Sequence, residues 1–323
     1  MTVLEKYSVA QLQSVEGMPL LLEVALEGQR ATHWAAEYGA QIDALLDANG
    51  ALLIRGLNIM SSKQFGQVLS TLFDAELLNY SYRSTPRTEL KGNVYTATEY
   101  HPDEVIPQHN EHAYSNKWAM RLGLCCLLPP QAGGETPIAD SREVFNRIPQ
   151  EIRDKFAAKK VKYVRNYGDI DLPWSEVFQT TDKREVEQYC FNNQLEFEWI
   201  GEHRLRTSQI NPAIARHPKT NEQVWFNQAH LFHVSSLGEE TCAQLLSACG
   251  EDGLPRNAFY GDGEPLEGEV LDLIRAAYDD TTLYTPWQKG DLMLVDNMLF
   301  THGRRPFSGD RKVLVGMARE YGW

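Results

Sequence analysis

Hydrophobic positions near the start of the chain alternate between helical and strand-like spacing. Residues 31–49 place apolar side chains at helical spacing and end in Asn-Gly, a common helix stop. The apolar run 51–57 closes on a glycine and is typical of a buried strand. Residues 61–73 predict a second helix with a serine N-cap. The pattern therefore predicts an α/β lead-in over residues 1–75.

The hydrophobic pattern changes after residue 93. Between 93 and 140, short β-rich runs are separated by Pro and Gly, as in antiparallel sandwiches and barrels, and residues 287–316 again indicate strand, turn and strand. Residues from about 160 to 260 mix helical and strand-like runs, and long inserts between core strands often cover active sites. We predict one α+β domain over residues 1–323, with a mainly β core, flanking helices and a long insert that acts as a lid.

Composition and charge narrow the class of partner. A hydrophobic content of 42% with 23% charged residues is typical of a folded globular chain rather than a disordered one. The formal charge of −13 argues against nucleic acid and against an anionic membrane surface, because both need clustered Lys and Arg. A small anionic substrate stays open, since one local arginine can bind it.

Cysteine usage and the first residues bear on the compartment. The chain has five cysteines, an odd number, and no C-x-x-C motif, so we predict free thiols in a reducing compartment. The N-terminus lacks a basic region followed by an apolar core, and no apolar stretch approaches the roughly 18 residues of a membrane span. We therefore predict a cytoplasmic protein.

The stretch "QHNEHAY" (108–114) carries the first candidate chemistry. On an extended strand, His109 and Glu111 project to the same side, because side chains alternate along a strand. His302 follows another apolar run and offers a third ligand. Two histidines and one carboxylate on one face of an octahedral ion leave three positions open, the arrangement of non-haem Fe(II) oxygenases. By itself a His-x-acid pair is more often structural.

Two further features favour an oxygenase. "PPQAGGETPIAD" (129–140) contains a Gly-Gly turn followed by Thr136, and Arg311 opens a strand nine residues after His302. A 2-oxoacid cosubstrate has a far carboxylate that needs a fixed cation, and the planar guanidinium of arginine can bind a carboxylate with two hydrogen bonds. Considered alone, Arg311 would be a solvated turn residue.

At "QHNEHAY", "GGETPIAD" and "DNMLFTHGRRPFSGDRK" the sequence resembles the TauD/TfdA-like (taurine dioxygenase-type) Fe(II)/2-oxoglutarate oxygenases, which have the clavaminate synthase-like fold. The similarity runs from about residue 50 to the C-terminus. It implies a double-stranded β-helix, a cupin-like jelly roll, and it implies Fe(II) with 2-oxoglutarate and O2 as cosubstrates. It also implies that His109, Glu111 and His302 bind the metal, and that Arg311 and Thr136 bind 2-oxoglutarate.

The sequence departs from taurine dioxygenase at two positions. Glu111 stands where that enzyme has Asp, which resembles the subgroup that hydroxylates amino acids, free or bound to a carrier protein. The retained carboxylate implies hydroxylation rather than halogenation. Val315 occupies the position where several relatives have a substrate-binding arginine, so we do not expect a carboxylate or sulfonate to be anchored there.

The resemblance implies a small-molecule substrate, an amino acid or its derivative, in specialised-metabolite biosynthesis. A peptidyl carrier protein could present that substrate. Carrier proteins are usually acidic, so docking would need a local basic patch. Arg83, Arg87 and Lys91 could form one, with a solvated loop as the alternative.

Other polar residues near the motifs have less specific patterns. His112 is out of phase with His109 on a strand and is expected at the pocket mouth or behind the metal. His112, Asn227 and Gln228 are candidate substrate contacts. We expect Asp296 and Asn297 to tie down the turn before His302. Arg304 and Arg305, on the other side of His302, are expected to be surface charge, with one of them bracing the metal carboxylate or the substrate as the alternative.

Two functions of other classes remain open from the residues alone. His109, His112, His230 and His233 form two His-x-x-His pairs that could build a zinc-dependent hydrolase, since a catalytic zinc site needs three protein ligands and an open position. That function leaves Thr136 and the C-terminal motif unexplained. The other alternative is a non-catalytic β-helix binding protein.

Overall fold

The computed structural model describes residues 10–14, 18–80, 82, 84–85, 87–168 and 170–323. Within these ranges the strands are β1 (Ala10–Gln13), β2 (Leu20–Val24), β3 (Ala51–Arg55), β4 (Val94–Thr96), β5 (Ile106–His109), β6 (Lys117–Leu128), β7 (Ala132–Gly133), β8 (Ile138–Asp140), β9 (Val161–Tyr167), β10 (Glu196–Ile200), β11 (Arg204–Asn211), β12 (Ile214–Arg216), β13 (Gln223–Trp225), β14 (Arg256–Tyr260), β15 (Thr282–Leu283), β16 (Leu292–Asp296), β17 (Phe300–Arg304), β18 (Phe307–Ser308) and β19 (Lys312–Gly322). The helices are α1 (Ala31–Asn49), α2 (Ser62–Phe73), α3 (Ser141–Arg147), α4 (Gln150–Lys159), α5 (Trp174–Val177), α6 (Lys183–Asn192), α7 (Ala229–Phe232), α8 (Glu239–Cys249) and α9 (Gly268–Asp280), with a 3-10 helix at Val234–Leu237.

Two sheets form the centre of the protein. The larger sheet has the order β1-β2-β3-β16-β6-β19-β4 and is antiparallel except for the β2–β3 pair, and the smaller has the order β15-β8-β17-β5. A shared core lies between them, with Leu122, Met293 and Val315 from the larger sheet and Ile138 and Phe300 from the smaller. The result is a cupin-like β sandwich with helices outside it. The predicted α+β class with a mainly β core is confirmed.

The lead-in folds as the hydrophobic pattern predicts. Helix α1 ends at Gly50, whose φ of 78° suits glycine, and a Cβ there would lie 2.6 Å from a ring carbon of Phe300. The Ser61 hydroxyl caps α2 by accepting a hydrogen bond from the Gln64 N–H. Both helices pack on the outer face of the larger sheet, and β1–β3 extend that sheet. Residues 1–9 and 15–17 of the predicted lead-in lie outside the described residues.

The predicted insert is an ordered unit with its own antiparallel sheet, β10-β11-β9-β14. It packs with α3, α4, α6 and α9 around a second hydrophobic core that includes Phe156, Tyr163 and Trp225. The Asn211 side-chain amide donates to the Tyr114 carbonyl at 2.8 Å, so the insert touches the turn that follows β5. This contact places the insert beside the predicted metal ligands.

Two other expectations concern the whole chain. All five cysteines are free thiols, as predicted, and three of them are buried. In the part of the chain that the structure describes, no helix combines the length and the apolar character needed to cross a bilayer.

Candidate metal and cosubstrate site

Strand pairing brings the three predicted metal ligands together. Strand β5 ends at His109, which lies directly opposite His302 of β17 in the antiparallel register, with the two ring centroids 4.5 Å apart. Glu111 stands in the turn just after β5. The ligating atoms of His109, Glu111 and His302 all lie within 4.8 Å of one another, and the three residues are buried. Among the described residues this is the only such group of potential metal ligands.

The protonation states of His109 and Glu111 suit a divalent cation. The His109 Nδ1–H donates to the Pro107 carbonyl at 2.8 Å, which leaves Nε2 free for a metal. Burial, helped by the neighbouring His302, lowers the pKa of His109 to about 3, so its ring is neutral. Burial would raise the pKa of Glu111, but Arg87 and His302 outweigh it and hold that pKa well below its usual value. Neutral imidazoles and an ionised carboxylate are the forms that bind Fe(II).

Arg87 is a site residue that the sequence reasoning missed. Its Nη2 donates to Glu111 Oε2 at 2.8 Å, and both side chains are buried. Its Cζ lies 4.6 Å from the centre of the Tyr80 ring. The predicted carrier-docking patch is therefore wrong at Arg87, Lys91 is exposed, and Arg83 lies outside the described residues. No local signal identifies Arg87, because its partner is 24 residues away in the chain.

A small cavity joins the metal ligands to the predicted cosubstrate residues. Arg311 and Thr136 line it together with His109, His302 and Val315. Burial, reinforced by the nearby guanidinium of Arg304, lowers the pKa of Arg311 to about 10. Arg87, Arg304 and Arg311 all line this cavity, so it favours an anion. The structure thus brings together all five residues of the predicted metal and 2-oxoglutarate sites.

The Gly-Gly turn supports Arg311. The Arg311 Nε donates to the Gly134 carbonyl at 3.0 Å. Gly134 has a φ of 70°, and a Cβ there would lie 2.7 Å from Pro130 and 3.1 Å from the Arg311 side chain. Any larger residue would therefore be strained and would push Arg311 away from the cavity.

Thr136 has a partner that sets the direction of its hydroxyl. The Trp287 indole N–H donates to Thr136 Oγ1 at 3.1 Å, and both residues are buried. Because an indole can only donate, Thr136 is the acceptor in this contact and its own proton remains available for a second partner. The threonine can therefore donate to an anion in the cavity.

Arg304 corrects one sequence expectation. It is buried rather than a surface charge, and its two Nη groups donate to the carbonyls of Thr98, Tyr100, His101 and Glu104. Its neighbour Arg305 is exposed, as expected. Arg304 thus ties the loop before β5 to β17, beside the metal ligands.

His112 lies outside the metal cluster, as its phase indicates. Its Nε2 is 4.0 Å from Glu111 Oε1, and its ring stacks on Tyr80 at a centroid distance of 5.3 Å. With Tyr82 and Tyr189 it lines a separate cavity of about 310 Å³. Its role as a substrate contact stays a prediction.

Asn227 and Gln228 do not face the cavity that the metal ligands line. Asn227 donates to the Ala213 carbonyl at 2.9 Å and accepts from the Ala229 N–H at 3.0 Å. Gln228 Nε2 donates to the Asn110 carbonyl at 2.7 Å. Both side chains are buried and bond backbone groups, and their role as substrate contacts stays a prediction.

The histidine pairs of the zinc alternative do not meet. The His230 Nε2 bonds the Gln108 carbonyl at 3.0 Å, and the His233 Nδ1 contacts the Ser235 hydroxyl at 2.8 Å. Of the four histidines, only His109 belongs to the metal cluster found among the described residues. The zinc hydrolase hypothesis is therefore wrong.

We expect His230 to make stability depend on pH. Burial lowers its pKa from 6.5 to about 4, so the unfolded chain binds a proton here at a pH where the folded protein does not. The stability contributed by neutral His230 is full above pH 6.5 and is lost as pH falls toward about 4. Between about pH 6.5 and 5, the free energy of unfolding should change less steeply with pH in His230→Gln than in the wild type. The difference in slope should be up to about 1.4 kcal/mol per pH unit.

Urea unfolding at several pH values measures this slope. The exposed His33 provides a matched control, and His33→Gln should keep the wild-type slope. Equal slopes in His230→Gln and the wild type would contradict the prediction.

Asn297 and Asp296 tie down the turn before His302, as expected. The Asn297 amide donates to the carbonyls of Glu111 and Ala119, each at 2.9 Å, and its oxygen accepts from the Glu111 N–H at 2.7 Å. Asp296 accepts from Arg121 and from the backbone N–H of Met298. Asn297 thus fixes the backbone of a metal ligand.

Replacing Asn297 with alanine should destabilise the protein. Three buried backbone groups would lose their partner, and each such loss costs about 1–3 kcal/mol. We expect the free energy of unfolding in urea to fall by about 3 kcal/mol or more. Asn192 lies on an exposed face of α6, so Asn192→Ala serves as the control. A loss no larger than that of Asn192→Ala would count against this role.

Comparison with known proteins agrees with this geometry. Residues 21–318 match the family described as "Taurine catabolism dioxygenase TauD, TfdA family". The chain is 44% identical over 277 residues to the dapdiamide synthesis protein DdaC of Enterobacter agglomerans, covering 85% of this chain and 84% of that protein. It is 31% identical over 290 residues to the clavaminate synthase-like protein At3g21360 of Arabidopsis thaliana, covering 86% and 84%.

Solved structures show the same fold. The structure of PvcB from Pseudomonas aeruginosa matches with a TM-score of 0.58 at 14% identity, covering 97% of this chain and 92% of that chain. A second PvcB structure, described as an Fe, alpha-ketoglutarate dependent oxygenase from an isonitrile synthetic pathway, matches with a TM-score of 0.56 at 13% identity, covering 97% of this chain and 92% of that chain. At this identity the likeness concerns the fold alone.

Proposed function

The chain belongs to the taurine catabolism dioxygenase TauD, TfdA family, and from that premise we propose that it hydroxylates an unactivated C–H bond of an amino acid or amino-acid derivative. The protein is a dioxygenase that depends on Fe(II) and uses 2-oxoglutarate and O2 as cosubstrates. The alternative of a non-catalytic β-helix binding protein is therefore wrong. The proposal concerns the residues that carry the reaction and the class of substrate.

His109, Glu111 and His302 are the proposed Fe(II) ligands. One observation carries this assignment, namely that their ligating atoms lie within 4.8 Å of one another beside the cavity that Arg311 lines. The Pro107 carbonyl holds His109 in the tautomer that presents Nε2. Arg87 keeps Glu111 ionised, so the carboxylate supplies a negative charge to the cation.

Arg311 and Thr136 are the proposed anchors of the far carboxylate of 2-oxoglutarate. Arg311 supplies the cation, and Thr136 supplies a hydroxyl proton that Trp287 leaves available. When bound, Fe(II) with 2-oxoglutarate and O2 supplies the oxidising power for attack on the C–H bond. The residues of the chain orient the cosubstrate and exclude water, since all three ligand side chains are buried.

The fold supports two further parts of the proposal. We assign the two facing sheets to the two halves of a double-stranded β-helix within one domain spanning residues 1–323. We also assign residues of about 160–260 to a lid, because Asn211 and Gln228 of this segment bond the turn between His109 and Tyr114. A lid in contact with that turn can respond to substrate bound beside the metal.

The substrate class is supported by Glu111 and by one relative. Glutamate at the acidic ligand position resembles the subgroup that acts on amino acids, free or tethered to a peptidyl carrier protein. DdaC, at 44% identity, is a protein of dapdiamide synthesis, which supports a place in specialised-metabolite biosynthesis. We still propose that a carrier protein could present the substrate, but Arg87 is buried and cannot form part of the docking surface.

A succinate-release screen tests the proposed function. The enzyme is incubated with Fe(II), 2-oxoglutarate and O2 against free amino acids and against the same amino acids loaded on a carrier protein. We expect succinate release above the substrate-free rate for one class, together with a product that has gained one oxygen atom. Release at the substrate-free rate with every free and carrier-bound amino acid would overturn the proposed substrate class.

A further inference from the structure

Arg87 has donors that the metal site does not use. Its Nη2 bonds Glu111 at 2.8 Å, whereas Nη1 and Nε are buried and have no hydrogen-bond partner among the described residues. A guanidinium has five N–H donors and cannot be deprotonated in a protein. Donors that are buried without an acceptor are rare in folded proteins, and such a group often marks the place of a missing partner.

The position of Arg87 is fixed by its neighbours. Tyr80 covers one face of the guanidinium, with Cζ 4.6 Å from the ring centre, and Glu111 holds one edge. The side chain therefore cannot turn toward solvent to satisfy its remaining donors without breaking both contacts. It is held in one orientation beside the metal ligands.

The charge of the cavity wall shows what kind of partner is missing. The described residues that line it include Arg87, Arg304 and Arg311 but no Asp or Glu side chain. Arg311 is assigned to the far carboxylate of 2-oxoglutarate, and the Nη groups of Arg304 already donate to backbone carbonyls. Arg87 is then the arginine of this wall with two buried donors, Nη1 and Nε, that have no acceptor among the described residues, and an anionic oxygen group satisfies them best.

We infer that Arg87 is a second carboxylate-binding residue of the active site, which holds Glu111 through Nη2 and binds an incoming carboxylate through Nη1 or Nε. This inference rests on the proposed function of the same site. Two sources share this chemistry, the carboxylate of 2-oxoglutarate nearer the metal and a carboxylate of the substrate. Val315 lines the same cavity without a charge, and Arg87 would supply the cation from the loop before β4.

Arg87→Met tests the inference, because it keeps much of the side-chain length and removes the charge. The exposed Arg305 gives the control, Arg305→Met. Without O2, three quantities are measured for each protein: Fe(II) affinity by equilibrium dialysis, 2-oxoglutarate affinity from the absorption change of the Fe(II) protein, and the effect of amino-acid probes on that absorption. The probes are L-aspartate and L-glutamate with their amides, L-asparagine and L-glutamine.

The measurements separate the two sources. A loss of 2-oxoglutarate affinity of about tenfold or more in Arg87→Met, measured at saturating Fe(II), supports the cosubstrate carboxylate. Unchanged 2-oxoglutarate affinity with loss of a wild-type preference for the acidic probes over their amides supports a substrate carboxylate. Unchanged binding of 2-oxoglutarate and of the probes overturns the inference, whether or not Fe(II) affinity falls, because Arg87 would then only position Glu111.

A second variant, Arg87→Lys, tests the inference if Arg87→Met does not fold. Arg87→Lys keeps the charge but reaches Glu111 or the incoming carboxylate with a single ammonium, so we expect a partial loss of the same affinity. Binding in Arg87→Lys that equals the wild type would overturn the inference if Arg87→Met does not fold. Failure of the amino-acid screen is a separate outcome, because the affinity for 2-oxoglutarate is measured without any substrate.

Discussion

Glu111→Ala is expected to abolish Fe(II)-dependent succinate release and to lower Fe(II) affinity by at least about 100-fold, because even residues that stand behind a metal ligand typically contribute about 10- to 100-fold. The change removes a negatively charged donor and leaves the buried cation of Arg87 without its carboxylate. His302→Ala should have the same effect, since His302 lies opposite His109 in the strand pair. Anaerobic equilibrium dialysis with Fe(II) measures the affinity, and succinate release measures turnover.

Glu111→Asp and His233→Ala are the controls for this prediction. Aspartate keeps a carboxylate, so we expect Glu111→Asp to retain measurable metal binding. The half-buried His233 bonds Ser235 and lies outside the metal cluster, so His233→Ala should bind Fe(II) like the wild type. Wild-type Fe(II) affinity in Glu111→Ala would contradict the assignment of the ligand.

Arg311→Ala should raise the 2-oxoglutarate concentration needed for half-maximal succinate release by roughly 30-fold or more. Removing one partner of a buried charge pair costs about 2–5 kcal/mol, and each 1.4 kcal/mol is about tenfold in affinity. The maximal rate should change much less, because the arginine is assigned to binding and does not touch the metal ligands. Initial rates of succinate release over a range of 2-oxoglutarate concentrations separate the two quantities.

The neighbouring Arg305 provides the control for Arg311. It is exposed and stacks near Tyr284, with Cζ 4.9 Å from the ring centre. Arg305→Ala should therefore leave the 2-oxoglutarate requirement unchanged. A wild-type requirement in Arg311→Ala would show that another cation of the cavity, such as Arg87, binds the far carboxylate.

Local patterns were enough for much of the fold. Helix α1 occupies the predicted residues 31–49, because its apolar spacing and the following glycine act over one or two turns of chain. The strand at 51–55 and the helix at 62–73 follow for the same reason. The order of strands in the two sheets could not be predicted from the sequence. Neighbouring strands are often far apart in the chain, and their pairing depends on how their hydrophobic faces pack in the folded protein.

Some site residues could likewise be predicted from local sequence, whereas the contacts of others depend on tertiary packing. The sequence paired His109 and Glu111 on the assumption of an extended strand, whereas the structure ends β5 at His109 and places Glu111 in the following turn, where Arg87 and Asn297 hold it. The hydrogen-bond partners of several buried polar residues were not evident from the sequence. Asn227 and Gln228 bond backbone carbonyls, and Arg304 is buried, because their partners are set by packing between elements.

By itself, the sequence of this protein predicted the ligand set and the cosubstrate residues, through the family resemblance carried by the His-x-Glu pair, the Gly-Gly turn before Thr136 and the interval from His302 to Arg311. Only the tertiary structure showed which residues hydrogen-bond to these ligands and cosubstrate residues. The bond from Arg87 to Glu111 and the bond from Trp287 to Thr136 join residues 24 and 151 positions apart. Such contacts depend on how the loop before β4 and the connection from β15 to β16 pack against the sandwich, and the local periodicity of the sequence carries no information about contacts over that separation.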